Sequence, residues 1–387
     1  MINKNKDRGI TLVALVITII ILLILATISI QSLTNTGLFQ KAQEAKEKTQ
    51  NTEENQAKTL NEYEDELNKY ISSTVKETFK GTSVTNAIQY GAVLNKDDNT
   101  ELQDAYGNKI VVPAGFKITN DASTVDKGIV IEDATTGATA GSQFVWIPVG
   151  KIYTDTAKTD ANAKTIELNR YTFDASGNPT KQNESVVETY FQELETSNKG
   201  NTVAKSIPNF KTSVTTNGGY YIGRYEARTT NQRNASENAL TQITIKGTDQ
   251  VYYYITQLQA ASQAQNMYNS NKFTSDLMNS YAWDTATLFL QTYGTNATYS
   301  RQTRVSSTLS QTGTNTQSTK DVQCNVYDMA SNVREWTTET SYYSGNPCVT
   351  RGGDYYDSDF YTSYRYGNAT SGSFDNVGFR PLLFVNV

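Results

Sequence analysis

The sequence predicts an α+β protein in which an N-terminal membrane helix and a helical stalk precede an irregular, strand-rich head. Three observations predict it. No charged residue occurs from Ile10 to Ile30, and as a helix that run spans roughly 31 Å, the thickness of a bilayer core. From Leu38 to Ile71 there is neither proline nor glycine, and Ala, Glu, Lys and Gln abound, all good helix formers. From about Gln89 onward, short apolar runs are separated by Gly, Asn, Asp, Ser and Thr, without the strand-helix rhythm of a doubly wound sheet.

Taken in order, residues 1–9 form a leader, 10–30 a transmembrane helix, 31–71 a stalk, 72–88 a linker and 89–387 the head. Lys4, Lys6 and Arg8 precede the apolar run, and no charge follows it until Lys41. That asymmetry keeps the N-terminus cytoplasmic and places the head outside, as a single-pass membrane protein. A cleaved secretory signal is the competing reading. Its apolar core would be about 7 to 15 residues long and end at a small-x-small site, whereas this run is longer and no A-x-A follows it. In the stalk, Leu60, Tyr63, Leu67, Tyr70 and Ile71 recur at helical spacing. Such a stripe either stays solvated or packs on the head or a neighbouring subunit. Small polar residues from Ser72 to Thr85 read as a linker.

Lys6-Asp7-Arg8-Gly9-Ile10-Thr11-Leu12-Val13 resembles the leader and first mature residues of type IV prepilins. The resemblance implies cleavage between Gly9 and Ile10 and contact with other pilin subunits in a pilus. Ala14 stands where that family usually has a glutamate.

Composition narrows the chemistry. The chain of 387 residues has no histidine, 2 cysteines, and 25 tyrosines against 13 phenylalanines. Without imidazole there are no His-based metal sites and no Ser-His or Cys-His nucleophiles. Two cysteines cannot build an all-thiolate zinc site. A formal net charge of −5 gives no general attraction to phosphate backbones, so nucleic acid is not an expected partner.

Within the head, Lys109-Ile-Val-Val-Pro, Gly128-Ile-Val-Ile, Gln143-Phe-Val-Trp-Ile-Pro-Val, Gly219-Tyr-Tyr-Ile-Gly-Arg-Tyr-Glu-Ala and Leu382-Leu-Phe-Val-Asn-Val predict strands. Helices are predicted over Val251 to Gln265 and Ser275 to Leu290.

Phe144-Val-Trp-Ile-Pro-Val-Gly, the Gly219 run, Asn325-Val-Tyr-Asp-Met-Ala-Ser-Asn-Val-Arg-Glu-Trp, Thr350-Arg-Gly-Gly and Val377-Gly-Phe-Arg-Pro follow one another in the order seen in the formylglycine-generating enzyme (sulfatase-modifying factor) family. That resemblance implies an elaborated C-type-lectin-like fold. In those enzymes, copper-binding cysteines follow the Arg-Gly-Gly motif. Asp357 and Thr362 hold those places here, and iron-binding relatives need histidines that this chain lacks. The head is therefore expected to be catalytically silent.

The same resemblance implies a calcium ion at Asp328, Ser331, Val333 and Glu335, an oxygen-only donor set that suits a hard cation. Otherwise Asp328 and Glu335 hydrogen-bond loop amides. No cofactor is required beyond this possible Ca2+. Cys324 and Cys348 are either buried free thiols or, outside the membrane, a disulfide closing a loop of about 25 residues, which could contribute on the order of 3 kcal/mol.

The expected ligand-binding surface is Asp354, Tyr355, Tyr356, Asp357, Ser358 and Asp359, continuing through Phe360, Tyr361, Thr362, Ser363, Tyr364 and Tyr366. Tyrosines interspersed with Ser and Asp resemble antibody loops; half-buried tyrosines packing the base of the fold are the competing reading. The run between Arg-Gly-Gly and Val-Gly-Phe-Arg-Pro is similar to the variable proteins of diversity-generating retroelements. From Asp354 to Tyr364 every residue is Asp, Tyr, Ser, Phe or Thr, each reachable from an asparagine codon by changing its adenines. The chain thus reads as a surface-displayed binder of an unknown protein or glycan. The alternatives are a minor pilin with a structural head, and an oxidase with displaced chemistry.

Overall fold

Runs rich in Val, Ile, Phe, Trp and Tyr, bounded by Gly, Asn and Asp, extend into strands because branched and aromatic side chains pack well on a pleated surface. The computed structural model describes residues 15–28, 46, 48, 88, 90–159, 161–182, 191–193, 206–235, 240–313 and 320–387, in two units, Met1–Lys69 and Tyr70–Val387.

In chain order the main elements of the second unit begin with β1 (Phe116–Ile118), β2 (Val130–Asp133), β3 (Gln143–Pro148), β4 (Phe191–Glu193), α1 (Ile207–Asn217) and β5 (Gly219–Gly223). Next come α2 (Gln257–Met267), β6 (Phe273–Leu277), α3 (Ser280–Tyr293), β7 (Arg334–Ser341), β8 (Cys348–Arg351), β9 (Arg365–Asn368), β10 (Val377–Phe379) and β11 (Pro381–Val385). A six-stranded antiparallel sheet runs β6-β11-β5-β3-β2-β1. A second sheet runs β4-β7-β8-β9, with β10 parallel to β7. The mixed architecture matches the expected α+β head; the runs expected as strands contain β3, β5 and the strand Lys109–Val112 and overlap β2 and β11.

The expected helices begin later than their apolar patterns suggested. Thr256 caps α2 through a reciprocal box with Gln259, and the Asn279 side chain accepts from the Ala282 amide at the start of α3. Val251 and Ser275 instead lie in strands. Helix α1 was not expected. Ser206 caps it, and a proline in its first turn fits where no amide partner is needed.

The core gathers Trp146, Tyr221, Trp283, Trp336 and Phe379, all fully buried. Buried indoles usually take a partner, as Trp336 does by donating to the Ile255 carbonyl at 2.8 Å.

The expected Cys324–Cys348 disulfide is not formed; both thiols are free. Each is fixed in a separate pairing. Cys324 sits in the turn between Val322–Gln323 and Val326–Tyr327, its Sγ 3.7 Å from the Asp126 carbonyl, while Cys348 opens β8 opposite Thr340 and Asn368. Burial pushes the Cys324 thiol up to about 12 and the Cys348 thiol up to about 11.

In the first unit, residues 15–28 are helical with exposed apolar side chains such as Leu22 and Leu23. That described stretch covers about 21 Å, and among the described residues no helix is long and apolar enough to cross a membrane. The remainder of the expected transmembrane run, the Gly9–Ile10 leader site, nearly all of the stalk and the linker lie outside the described residues.

Candidate functional site

The Tyr-rich segment follows β8. Gly352 and Gly353 let the chain pass against the 328–333 turn: a Cβ on Gly352 would meet the Met329 carbonyl at 2.5 Å, and one on Gly353 the Ala330 carbonyl at 2.2 Å. Gly352 also has φ 82, a conformation glycine adopts without strain. Asp354 is buried and accepts from the amides of Tyr356 at 2.8 Å and Asp357 at 2.6 Å, tightening the turn. It pairs with Arg334 at 2.7 Å and accepts from Asn376 Nδ2 at 3.0 Å. From the other side, Arg304 Nη1 donates to the carbonyls of Tyr355 at 2.7 Å and Tyr356 at 2.6 Å. Thr362 is held by its amide to Gln302 and by its carbonyl, which accepts from the Trp283 indole at 2.9 Å.

What this scaffold presents is a strip of rings. Tyr356 is 76% exposed and Tyr366 42%, Ser358 and Asp359 face solvent, and Tyr355, Asp357, Tyr361 and Tyr364 are half-buried. Arg301 lies 3.5 Å from the Tyr361 ring centre; Tyr361 meets Tyr364 edge-on at 5.1 Å. Tyr364 stacks on Phe360 at 4.6 Å, Phe360 touches Tyr366 at 5.3 Å, and Arg334 covers both at 4.6 and 5.1 Å. Burial and a hydrogen bond to Asp375 push the Tyr355 hydroxyl up to about 12.

Four of the residues expected on the surface are instead buried. Asp354, Phe360, Thr362 and Ser363 hold the loop from beneath. Arg301, Arg304 and Arg334 were not expected at the site, and only folding brings the first two to it. Clefts of about 510 and 490 Å3 open elsewhere, one beside α1 and the other beside Tyr90 and Lys117.

Beneath the strip lies a buried charge cluster. Asp284 receives Arg351 and Arg365 at 2.5 Å each, and Glu339 receives Arg170 at 2.6 Å, Arg365 at 2.9 Å and Arg351 at 3.3 Å. Burial opposes ionisation of Glu339, yet Arg365, Arg351 and Arg170 together hold it down to about 2. Arg351 is the arginine of the Arg-Gly-Gly motif, and it also donates to the carbonyls of Ser363 and Tyr364, anchoring the far end of the loop.

At the expected calcium donors, an arginine stands beside each carboxylate. Both oxygens of Glu335 accept from Arg380 Nε at 3.1 Å, and Arg380 Nη2 lies 2.6 Å from one of them. An Asp328 oxygen is 4.0 Å from Arg228, and the Ser331 hydroxyl accepts from the Val305 amide. Guanidinium groups thus supply the positive charge at both carboxylates. Burial pushes Glu335 up to about 7 against the pull of Arg380. Of the positions held by cysteines in the resembled enzymes, Asp357 is half-buried and Thr362 fully buried.

Residues 131–383 match the family model described as the sulfatase-modifying factor enzyme 1-like domain. No curated protein matches the chain. Among solved structures it is similar to Treponema denticola variable protein 1, at 12% identity and TM-score 0.34 over 64% of this chain and 98% of that one. It is also similar to the M1 variant of the Major Tropism Determinant, at 13% identity and TM-score 0.27 over 78% of this chain and 75% of that one.

Proposed function

Because the chain belongs to the sulfatase-modifying factor enzyme 1-like domain family, yet has no histidine and keeps Asp357 and Thr362 where the catalytic thiols would stand, we propose that it is a non-catalytic, ligand-binding member. The observation that carries this reading is the strip itself: exposed Tyr356 and Tyr366 and half-buried Tyr361 and Tyr364, on a backbone tied down by Asp354 and Arg304. Rigid amphipathic rings on a fixed backbone lose little entropy on binding.

The head is displayed outside the cell by the apolar run Ile10–Ile30, with the prepilin-like leader on the cytoplasmic side. The flanking charges and the helical, apolar residues 15–28 support this reading. Release of the head by protease from intact cells, with the remaining peptide kept in the membrane fraction, is the expected result; a head protected in intact cells would refute it.

The loop is also suited to diversification at its exposed and half-buried positions, such as Tyr355, Tyr356, Ser358, Asp359, Tyr361 and Tyr364, while buried Asp354 and Thr362 and the neighbouring Arg304 hold its backbone. A reverse transcriptase gene and a near-copy template repeat beside this locus are the expected finding.

The binding reading is tested by probing protein and glycan arrays with the full chain and its Tyr356→Ala and Tyr361→Ala variants. Binding should fall with both, and no aldehyde should form on a cysteine-containing peptide.

A further inference from the structure

The ends of the strip differ in charge. At one end Arg301, the last residue of the short helix Tyr299–Arg301, lies flat on Tyr361 at 3.5 Å. The other arginines here are already engaged, Arg334 with Asp354 and Arg304 with two carbonyls. Arg301 uses only its face, and among the described residues it makes no ion pair. The acid it influences electrostatically is Asp174, whose carboxylate is occupied by the amides of Ser176 and Asn178 and by the Asn178 side chain. Elsewhere along the same loop lie Asp357 and exposed Asp359, while Asp375 is bonded to Tyr355.

A guanidinium stacked on a ring keeps its N–H edge free and pre-oriented for a carboxylate, which it grips in a bidentate fork. Arg and Tyr side by side are also the residues that dominate protein-protein hot spots. We infer that the ligand is a polypeptide that presents a carboxylate side chain to Arg301 and lays its neighbouring residues along the exposed and half-buried tyrosines of the strip, Tyr356 included. This rests on the strip being the binding face.

The probe is a random-peptide phage library panned against the full chain in detergent, in parallel with Arg301→Gln, Arg301→Lys and Tyr356→Ala. Arg301 is half-buried and bonds no carboxylate, so both variants should keep the wild-type Tm and circular dichroism. Peptides selected on the wild type should be enriched in Asp or Glu over the unselected library. Their affinity should fall about tenfold or more in Arg301→Gln, fall less in Arg301→Lys, and weaken as salt rises. Peptides lost in Tyr356→Ala but showing no acidic enrichment, or binding Arg301→Gln as tightly as wild type, overturn the inference while leaving the binding face standing. Peptides indifferent to Tyr356→Ala overturn the binding face as well. A library that yields no binder, or Arg301-dependent binding of polygalacturonate in place of any peptide, overturns the assignment to a polypeptide.

Discussion

Tyr356 and Phe360 sit in the same short loop and do opposite jobs. Tyr356 is exposed and packs on nothing that the fold needs, so Tyr356→Ala should change stability by no more than about 0.5 kcal/mol while weakening binding. Phe360 is stacked on Tyr364 beneath Arg334, and Phe360→Ala should cost roughly 3 kcal/mol in denaturant melts. The buried carboxylates give the head a pH dependence with two limbs. Glu339 is held at about 2 against an ordinary 4.5. Its depressed folded value means a contribution of roughly 3 kcal/mol that is complete above the unfolded value and fades as pH falls toward 2. Glu335 is raised from 4.5 to about 7, so ionising it strains the folded state, and stability should rise as pH falls from about 7 toward 4.5. Melts across that range should show a maximum on the acid side of neutral, and Glu339→Gln should flatten only the lower limb.

The turn after β8 shows how an element can depend on what a residue lacks. Gly353 passes so close to the Ala330 carbonyl that any Cβ collides with backbone. Gly353→Ala should therefore displace the whole Tyr-rich loop, which loss of amide protection at Tyr356 and Asp357 in hydrogen exchange would report. Much of this region was legible in the sequence. The Arg-Gly-Gly run and the tyrosines after it marked the loop, and the run around Trp146 marked a central strand. Other features were not. The inward side of the loop was hidden because Asp, Ser and Thr serve equally as surface ligands and as turn-fixing bonds, and only the fold shows that Asp354 and Thr362 do the second. Helix α1 has a weak apolar stripe; Ser206 and Pro208 were its only local signals. Arg301 and Arg304 reach the site from a distant segment, so no spacing rule could have placed them.

At the scale of the whole molecule, the proposed reading joins an apolar N-terminal segment to a family head that has Asp357 and Thr362 at the expected thiol positions, a display device in place of an enzyme. Arginines compensate the buried acids of the Asp328–Glu335 turn from within. Millimolar calcium or a chelator should therefore leave the melting temperature unchanged, and a calcium-dependent rise would restore the cation to that turn. The most direct test of the central claim is binding of the full chain to protein and glycan arrays, measured beside the Tyr356→Ala and Tyr361→Ala variants at equal fold stability. The account predicts ligands whose binding is lost with the tyrosines. Ligands bound equally well by both variants, or oxidation of a cysteine peptide by the wild-type chain, would contradict it.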